Sequence, residues 1–100
     1  MARDPAFAEA WYNLAMAAED EEQIDLAIAQ YRRAVRAQPD YADAHFNLAL
    51  LLTRLDRCAE ALPLWDRFLE LEPNGQQART AKRAAALCRM HIKRGQVKAG

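Results

Sequence analysis

The sequence predicts an all-α fold built from repeated helix pairs. Three observations carry that expectation. Pro5, Pro39 and Pro73 are evenly spaced, each 34 on from the last in the numbering, and a fixed period of that size signals stacked structural repeats. The residues between them keep the same register. Trp11, Leu14, Ala15, Ala27, Tyr31 and Ala34, moved on by 34, fall on His45, Leu48, Ala49, Ala61, Trp65 and Phe68. Within each segment, apolar residues recur at steps of three and four, the spacing of one helix face.

The first helix is expected from Pro5 or Ala6 to Asp20, with Asp4 as its N-cap. Ala10, Trp11, Leu14, Ala15 and Ala18 form its apolar face. The acidic run Glu19-Asp20-Glu21-Glu22 suits a helix C-terminus poorly and favours a turn. The second helix follows from Gln23 to Ala37, with Ile24, Ala27, Ile28, Tyr31, Ala34 and Val35 inward. It stops at Gln38, because a residue before proline is pushed out of the helical region. The third spans Tyr41 to Leu55, with Ala44, Phe46, Leu48, Ala49, Leu51, Leu52 and Leu55 as its apolar set. Asp56 is the expected N-cap of the fourth, Arg57 to Leu71. Pro63 lies inside that helix and should bend it rather than end it. Pro73-Asn74-Gly75 is a stop signal. A fifth helix, Gln76 to Arg94, breaks the repeat, with Arg79 and Lys82 where the first helix has Trp11 and Leu14. Ala78, Ala81, Ala84, Ala85, Leu87, Cys88, His91 and Ile92 fall on one half of its wheel and the cations on the other, as a capping helix needs.

Two stretches of each repeat resemble a known family. Ala8-Glu-Ala-Trp-Tyr-Asn-Leu-Ala15 and Ala42-Asp-Ala-His-Phe-Asn-Leu-Ala49 resemble the first helix of a tetratricopeptide repeat (TPR). Leu26-Ala-Ile-Ala-Gln-Tyr-Arg-Arg-Ala-Val35 and Glu60-Ala-Leu-Pro-Leu-Trp-Asp-Arg-Phe-Leu69 resemble its second helix. The resemblance implies a right-handed α-solenoid segment of five antiparallel helices. Residues 8–41 are then repeat 1, 42–75 repeat 2, 76–94 a capping helix and 95–100 a tail. Pro5 sits where a repeat ends, so residues 1–7 are expected to be the remnant of a preceding repeat or an N-terminal lead-in.

The resemblance also implies a concave groove lined mainly by first helices, along which a protein or peptide partner lies. It maps that groove onto Glu9, Tyr12, Asn13 and Met16 in repeat 1 and onto Asp43, Phe46, Asn47, Leu50 and Arg54 in repeat 2. Tyr12, Met16, Phe46 and Leu50, if exposed together, suit a segment with apolar anchors. Chaperone-binding relatives grip a C-terminal carboxylate with lysines, an arginine and asparagines. The corresponding positions here carry Tyr12, Met16, Asn47, Gln77 and Ala81, and only Asn47 agrees. Carboxylate clamping is therefore not expected.

Composition narrows the function classes. One hundred residues make one domain at most. No apolar run approaches the roughly 20 residues that cross a bilayer, and Met1-Ala-Arg-Asp-Pro5 has no leader-like apolar stretch. Cys58 and Cys88 do not make a disulfide framework, so the default expectation is a cytoplasmic protein with two thiols in contact. A disulfide between them is the alternative, since both lie about equally far from the turn at Pro73. No membrane partner is expected. With no serine in the chain, a Ser-His-Asp set is impossible. His45 and His91 lie on different helices, and neither joins a cysteine at a metal-ligand spacing. No enzyme activity, cofactor or metal is expected.

Net charge is zero, yet residues 76–100 hold Arg79, Lys82, Arg83, Arg89, Lys93, Arg94 and Lys98 and no acid. Arg79, Lys82, Arg83, Arg89 and Lys93 form a candidate anion-binding face. No aromatic residue interleaves with them, which argues against nucleic acid and for a solvated cap. Two alternatives to peptide binding remain: self-association through the first helix, where Ala6, Phe7 and Ala10 are candidates for an exposed edge, and contact with an anionic surface.

Overall fold

The computed structural model describes residues 4–99, with side chains through residue 95. Five α-helices and no strand occur among the described residues: α1 (Pro5–Asp20), α2 (Ile24–Ala37), α3 (Ala42–Arg54), α4 (Cys58–Leu71) and α5 (Gln76–Ala99). The fold is all-α, a run of helices in which the same positions recur one period apart. Expected boundaries hold to within a residue except at the last helix. There α5 continues through Gly95 to Ala99, where the sequence pattern ended near Arg94. One glycine costs about 1 kcal/mol in a helix interior, and no proline follows it to stop the helix. Met1 to Arg3 of the lead-in and Gly100 of the tail lie outside the described residues.

Packing divides the chain into two compact units, Met1–Leu48 and Ala49–Gly100. The division falls inside α3, which supplies its first half to one unit and its second half to the other. In the first unit α1 packs against α2. Ala8, Ala15, Ala27 and Ala34 have no exposed surface, because methyl groups let two helix backbones approach closely. Tyr31 fills the remaining space and is fully buried. Its hydroxyl donates to Glu19 Oε1 at 2.9 Å. Asp4 caps α1 as expected, accepting the Phe7 N–H at 3.2 Å. Its own N–H donates to the carbonyl of Ala37 at 3.0 Å and ties the start of α1 to the end of α2. His45 is buried and donates from Nε2 to the carbonyl of Pro39 at 2.8 Å, a structural position rather than a ligand.

The second unit repeats the device with other residues. Trp65 is fully buried, and its indole N–H donates to Thr53 Oγ1 at 3.0 Å. Tyr31 and Trp65 are 34 apart, as are Glu19 and Thr53. The two bonds are therefore register equivalents made with different chemistry. α4 runs through Pro63 without ending. α5 meets α4 along a stripe of Ala78, Ala81, Ala85 and Cys88, all buried. Leu87 and His91, expected on the inward half, are exposed, because packing on one helix covers a stripe narrower than half the wheel.

Cys58 and Cys88 are bonded to each other, which corrects the expectation of two separate thiols. Their Cα atoms lie 5.0 Å apart, within disulfide range, because α4 and α5 are antiparallel neighbours. With the pair bonded, the thiols no longer argue for a reducing compartment.

The turns inside the two helix pairs are the same turn. Gln23 N–H donates to Ala18 O at 2.8 Å and Glu22 N–H to Glu19 O at 3.0 Å. Arg57 N–H donates to Leu52 O at 2.9 Å and Asp56 N–H to Thr53 O at 3.1 Å. Both are Schellman closures, which need a left-handed residue just past the helix. Glu22 (φ 60°) and Asp56 (φ 61°) fill that place, one full repeat apart. Asp56 therefore closes α3 and does not cap α4; Arg57 stands at that N-cap with no side-chain capping bond, its guanidinium pairing instead with Glu60, Nη2 to Oε1 at 2.8 Å.

A left-handed non-glycine residue costs roughly 1–2 kcal/mol, against roughly 0.5–1 kcal/mol of extra unfolded-state entropy for glycine. Glu22→Gly and Asp56→Gly should each stabilise the protein by roughly 0.5–1 kcal/mol, seen as a rise in Tm by circular dichroism. The disulfide closes a loop of sequence separation 30, worth roughly 3–4 kcal/mol on the loop-entropy account. Reduction should lower stability by about that much. The resulting rise in amide exchange should concentrate in α4 and α5.

Candidate functional site

The first unit brings α1 and the first half of α3 together around Tyr12. Its ring lies 5.1 Å from Tyr41 and 5.9 Å from Tyr31, centroid to centroid, both in tilted arrangements. Asn47 Nδ2 donates to the Tyr12 hydroxyl at 2.9 Å. Tyr12 is thus held on both its ring and its polar tip, yet it stays half-exposed, as does Tyr41. Glu9, Asn13 and Met16 follow it along α1 and are exposed; Asp43 is exposed on α3.

This cluster is acidic. Burial pushes the Tyr12 phenol above its ordinary value, and the Asp43 and Glu19 carboxylates push it the same way, against the Asn47 hydrogen bond. Tyr41 is raised by burial, then by Tyr12, Asp43 and Glu9. Pro5–Asp20 and residues 42–48 contain no Lys or Arg.

Of the nine expected groove residues, Tyr12 and Asn47 are in direct contact, with Glu9, Asn13, Met16 and Asp43 exposed in the same unit. Phe46 is a correction: it is buried, so it is no exposed anchor for a partner. The helical spacing had placed it in the apolar set and the family pattern in the groove, and packing chose the first. Leu50, half-buried, and Arg54, exposed, belong to the second unit. Tyr41 was missed, though a signal existed: it stands one repeat period after Phe7, so both repeats carry an aromatic there.

On α5, Arg79, Lys82, Arg83 and Lys93 are exposed. Arg89 is engaged by an ion pair with Asp66 on α4, Nη2 to Oδ1 at 2.8 Å, so it serves the α4–α5 contact. A hollow of about 290 Å³ beside the disulfide is lined by Asp56, Cys58, Ala59, His91 and Ile92. Among the described residues no group of three or more His, Cys, Asp or Glu is placed to hold a metal ion, and no helix is long and apolar enough to cross a membrane.

Residues 1–42 and 12–76 match the family model described as Tetratricopeptide repeat. The chain belongs to the tetratricopeptide repeat family. Protein O-mannosyl-transferase Tmtc3 of Drosophila melanogaster is 36% identical over 64 residues, which is 64% of this chain and 7% of that protein. Protein O-mannosyl-transferase TMTC3 of Homo sapiens is 32% identical over 71 residues, 71% of this chain and 8% of that protein. The chain thus spans less than a tenth of the length of either relative. Among solved structures, a tetratricopeptide repeat domain protein from Salinibacter ruber superposes with a TM-score of 0.70 at 24% identity, over 86% of this chain and 90% of that one. A crystal structure of MamA superposes with a TM-score of 0.69 at 24% identity, over 90% of this chain and 51% of that one. These likenesses are of fold. TPR domains as a class are protein-interaction modules.

Tyr31 sets a pH dependence for the first unit. Burial raises its phenol far above 10.0, and the Glu19 carboxylate that it donates to raises it further. An unfolded tyrosine ionises near 10, whereas the folded one keeps its proton. The contribution is therefore complete below about pH 10 and is lost as pH rises beyond it. Thermal melts should show Tm falling above pH 10, with a shallower fall in Tyr31→Phe.

Proposed function

We propose that this chain is a non-catalytic protein-binding module whose recognition surface is the face shared by α1 and the first half of α3. The observation that supports it most directly is the clamped, half-exposed Tyr12, fixed by Asn47 and by two tyrosine rings. A pre-ordered aromatic loses little entropy when a partner covers it, the property of an interface hot spot. Glu9 and Asp43 flank it, so the fitting partner is a peptide segment that carries Lys or Arg. Such a cation gains from the carboxylates and from the tyrosine faces together. Met16 beside them offers one apolar contact. Phe46 has left the surface, so apolar anchoring is a smaller part of this reading than the family pattern alone implied.

The transferase named in the relatives is matched over less than a tenth of its length, and the matched stretch here holds repeat residues. No catalytic step is assigned to it.

The test is calorimetry with short peptides that differ only in bearing Lys, Glu or Ala at their centre. The Lys peptide should bind most tightly. Tyr12→Ala and Asp43→Lys should each weaken it by roughly tenfold, the scale of a hot-spot truncation. Equal affinity for all three peptides, or for wild type and both variants, would remove this surface from the account.

A further inference from the structure

The two compact units carry opposite charge. Residues 1–48 hold nine acids against four arginines, and residues 49–100 hold ten bases against five acids, so a neutral chain divides into units of formal charge −5 and +5. Each unit also exposes an apolar stripe that its own packing does not use. On α1 the stripe is Phe7, Ala10, Leu14 and Ala17, spaced three, four and three apart. All four are exposed, Phe7 at 64% and Leu14 at 50%. On α5 it is Leu87 and Met90, exposed at 51% and 50%, between Arg83 and Arg94 on the same stripe. At 100° per residue that stripe lies opposite Ala81, Ala85 and Cys88, which face α4. A contiguous apolar row rimmed by charged residues is the kind of surface that marks an interaction site.

We propose that the exposed stripe of α1 on one copy docks against the exposed stripe of α5 on a second copy, head to tail. Leu14 and Phe7 then meet Leu87 and Met90, and an acidic helix end meets a basic helix. α1 contains no Lys or Arg, and Asp20, Glu21 and Glu22 follow its stripe, all exposed. Glu21 lies seven residues beyond Leu14, about 10 Å along the axis. Arg83 lies seven before Met90 and Arg94 seven beyond Leu87, so an arginine meets that acid whichever way the helices run. The α1 stripe is on a different side of the helix from Tyr12 and Met16, so the contact leaves the proposed peptide face open. It does not rest on that reading.

Two different patches make a heterologous contact, which propagates into chains unless it is capped. One helix against one helix is small beside the roughly 1,600 Å² of a tight interface, so the association is weak and depends on charge. Sedimentation velocity from about 10 µM to about 1 mM tests it. In about 20 mM NaCl the mean mass should rise with concentration, and in about 0.5 M NaCl it should stay at the monomer value of 11.3 kDa. Leu14→Asp and Leu87→Asp, each monomeric alone, should form a one-to-one dimer when mixed and grow no further, because each variant keeps one sound face. Met90→Glu replaces Leu87→Asp if the latter fails to fold by circular dichroism. A strict monomer at low salt and high concentration overturns the proposal. So does a mixture of the two variants that stays monomeric, and so does a Leu87→Asp variant that dimerises alone, which is what an α1-to-α1 contact gives.

Discussion

Each helix pair is closed by one buried aromatic side chain whose polar tip is answered from the other helix. In the first unit Tyr31 donates to Glu19; in the second Trp65 donates to Thr53. An aromatic ring of this size buries a large apolar area on a short helix. It also carries a donor that is costly to bury unpaired. The residue twelve positions earlier meets that donor, which fixes how far α2 can slide along α1 and α4 along α3. The alanines at Ala15, Ala27, Ala49 and Ala61 bring the backbones close enough for the bond to form. The left-handed residues Glu22 and Asp56 return the chain at the right angle. Ring, donor, alanines and turn all recur with the same period as the prolines, so they act as one constraint.

That constraint decides which sides of α1 stay uncovered. α1 and α2 bury one stripe of each helix and leave the rest of α1 as two further sides. One side carries Tyr12, braced by Tyr31, Tyr41 and Asn47 and edged with acids. The other carries Phe7 and Leu14 with no described helix against them. The same register positions in α3 are buried, Leu48 for Leu14 and His45 for Trp11. Trp11 itself is half-exposed, with the Arg33 guanidinium over its ring at 4.8 Å. The difference follows from what each helix serves: α3 contributes to both units, whereas α1 packs within one. The second unit adds a covalent link where the first has none, since Cys58 and Cys88 tie α5 to α4.

Much of this was legible in the residues. Helix limits, the family, the core set Ala27, Tyr31, Ala61, Trp65 and Phe68, the Asp4 cap and the structural role of His45 follow from period, spacing and capping chemistry. The site was legible in part. The family resemblance had placed Glu9, Tyr12, Asp43 and Asn47 along one groove, and the structure brings Tyr12 and Asn47 into contact. Phe46 was misplaced because a wheel shows direction and not what stands opposite. Tyr41 was passed over because it was read as the first residue of the third helix and left out of its apolar set, whereas it lies just before α3 with its ring against Tyr12.

By itself the sequence determined the all-α repeat, its period and the aromatic and alanine positions that close each pair, because these depend on local spacing and side-chain volume. Tertiary structure alone decided that Tyr12 is braced and half-open, that Phe46 is covered, that Arg89 is taken by Asp66, that Leu87 faces outward and that the two cysteines join. Each of those depends on the distance between groups on different helices. Sequence spacing along one helix does not contain that distance, and packing sets it.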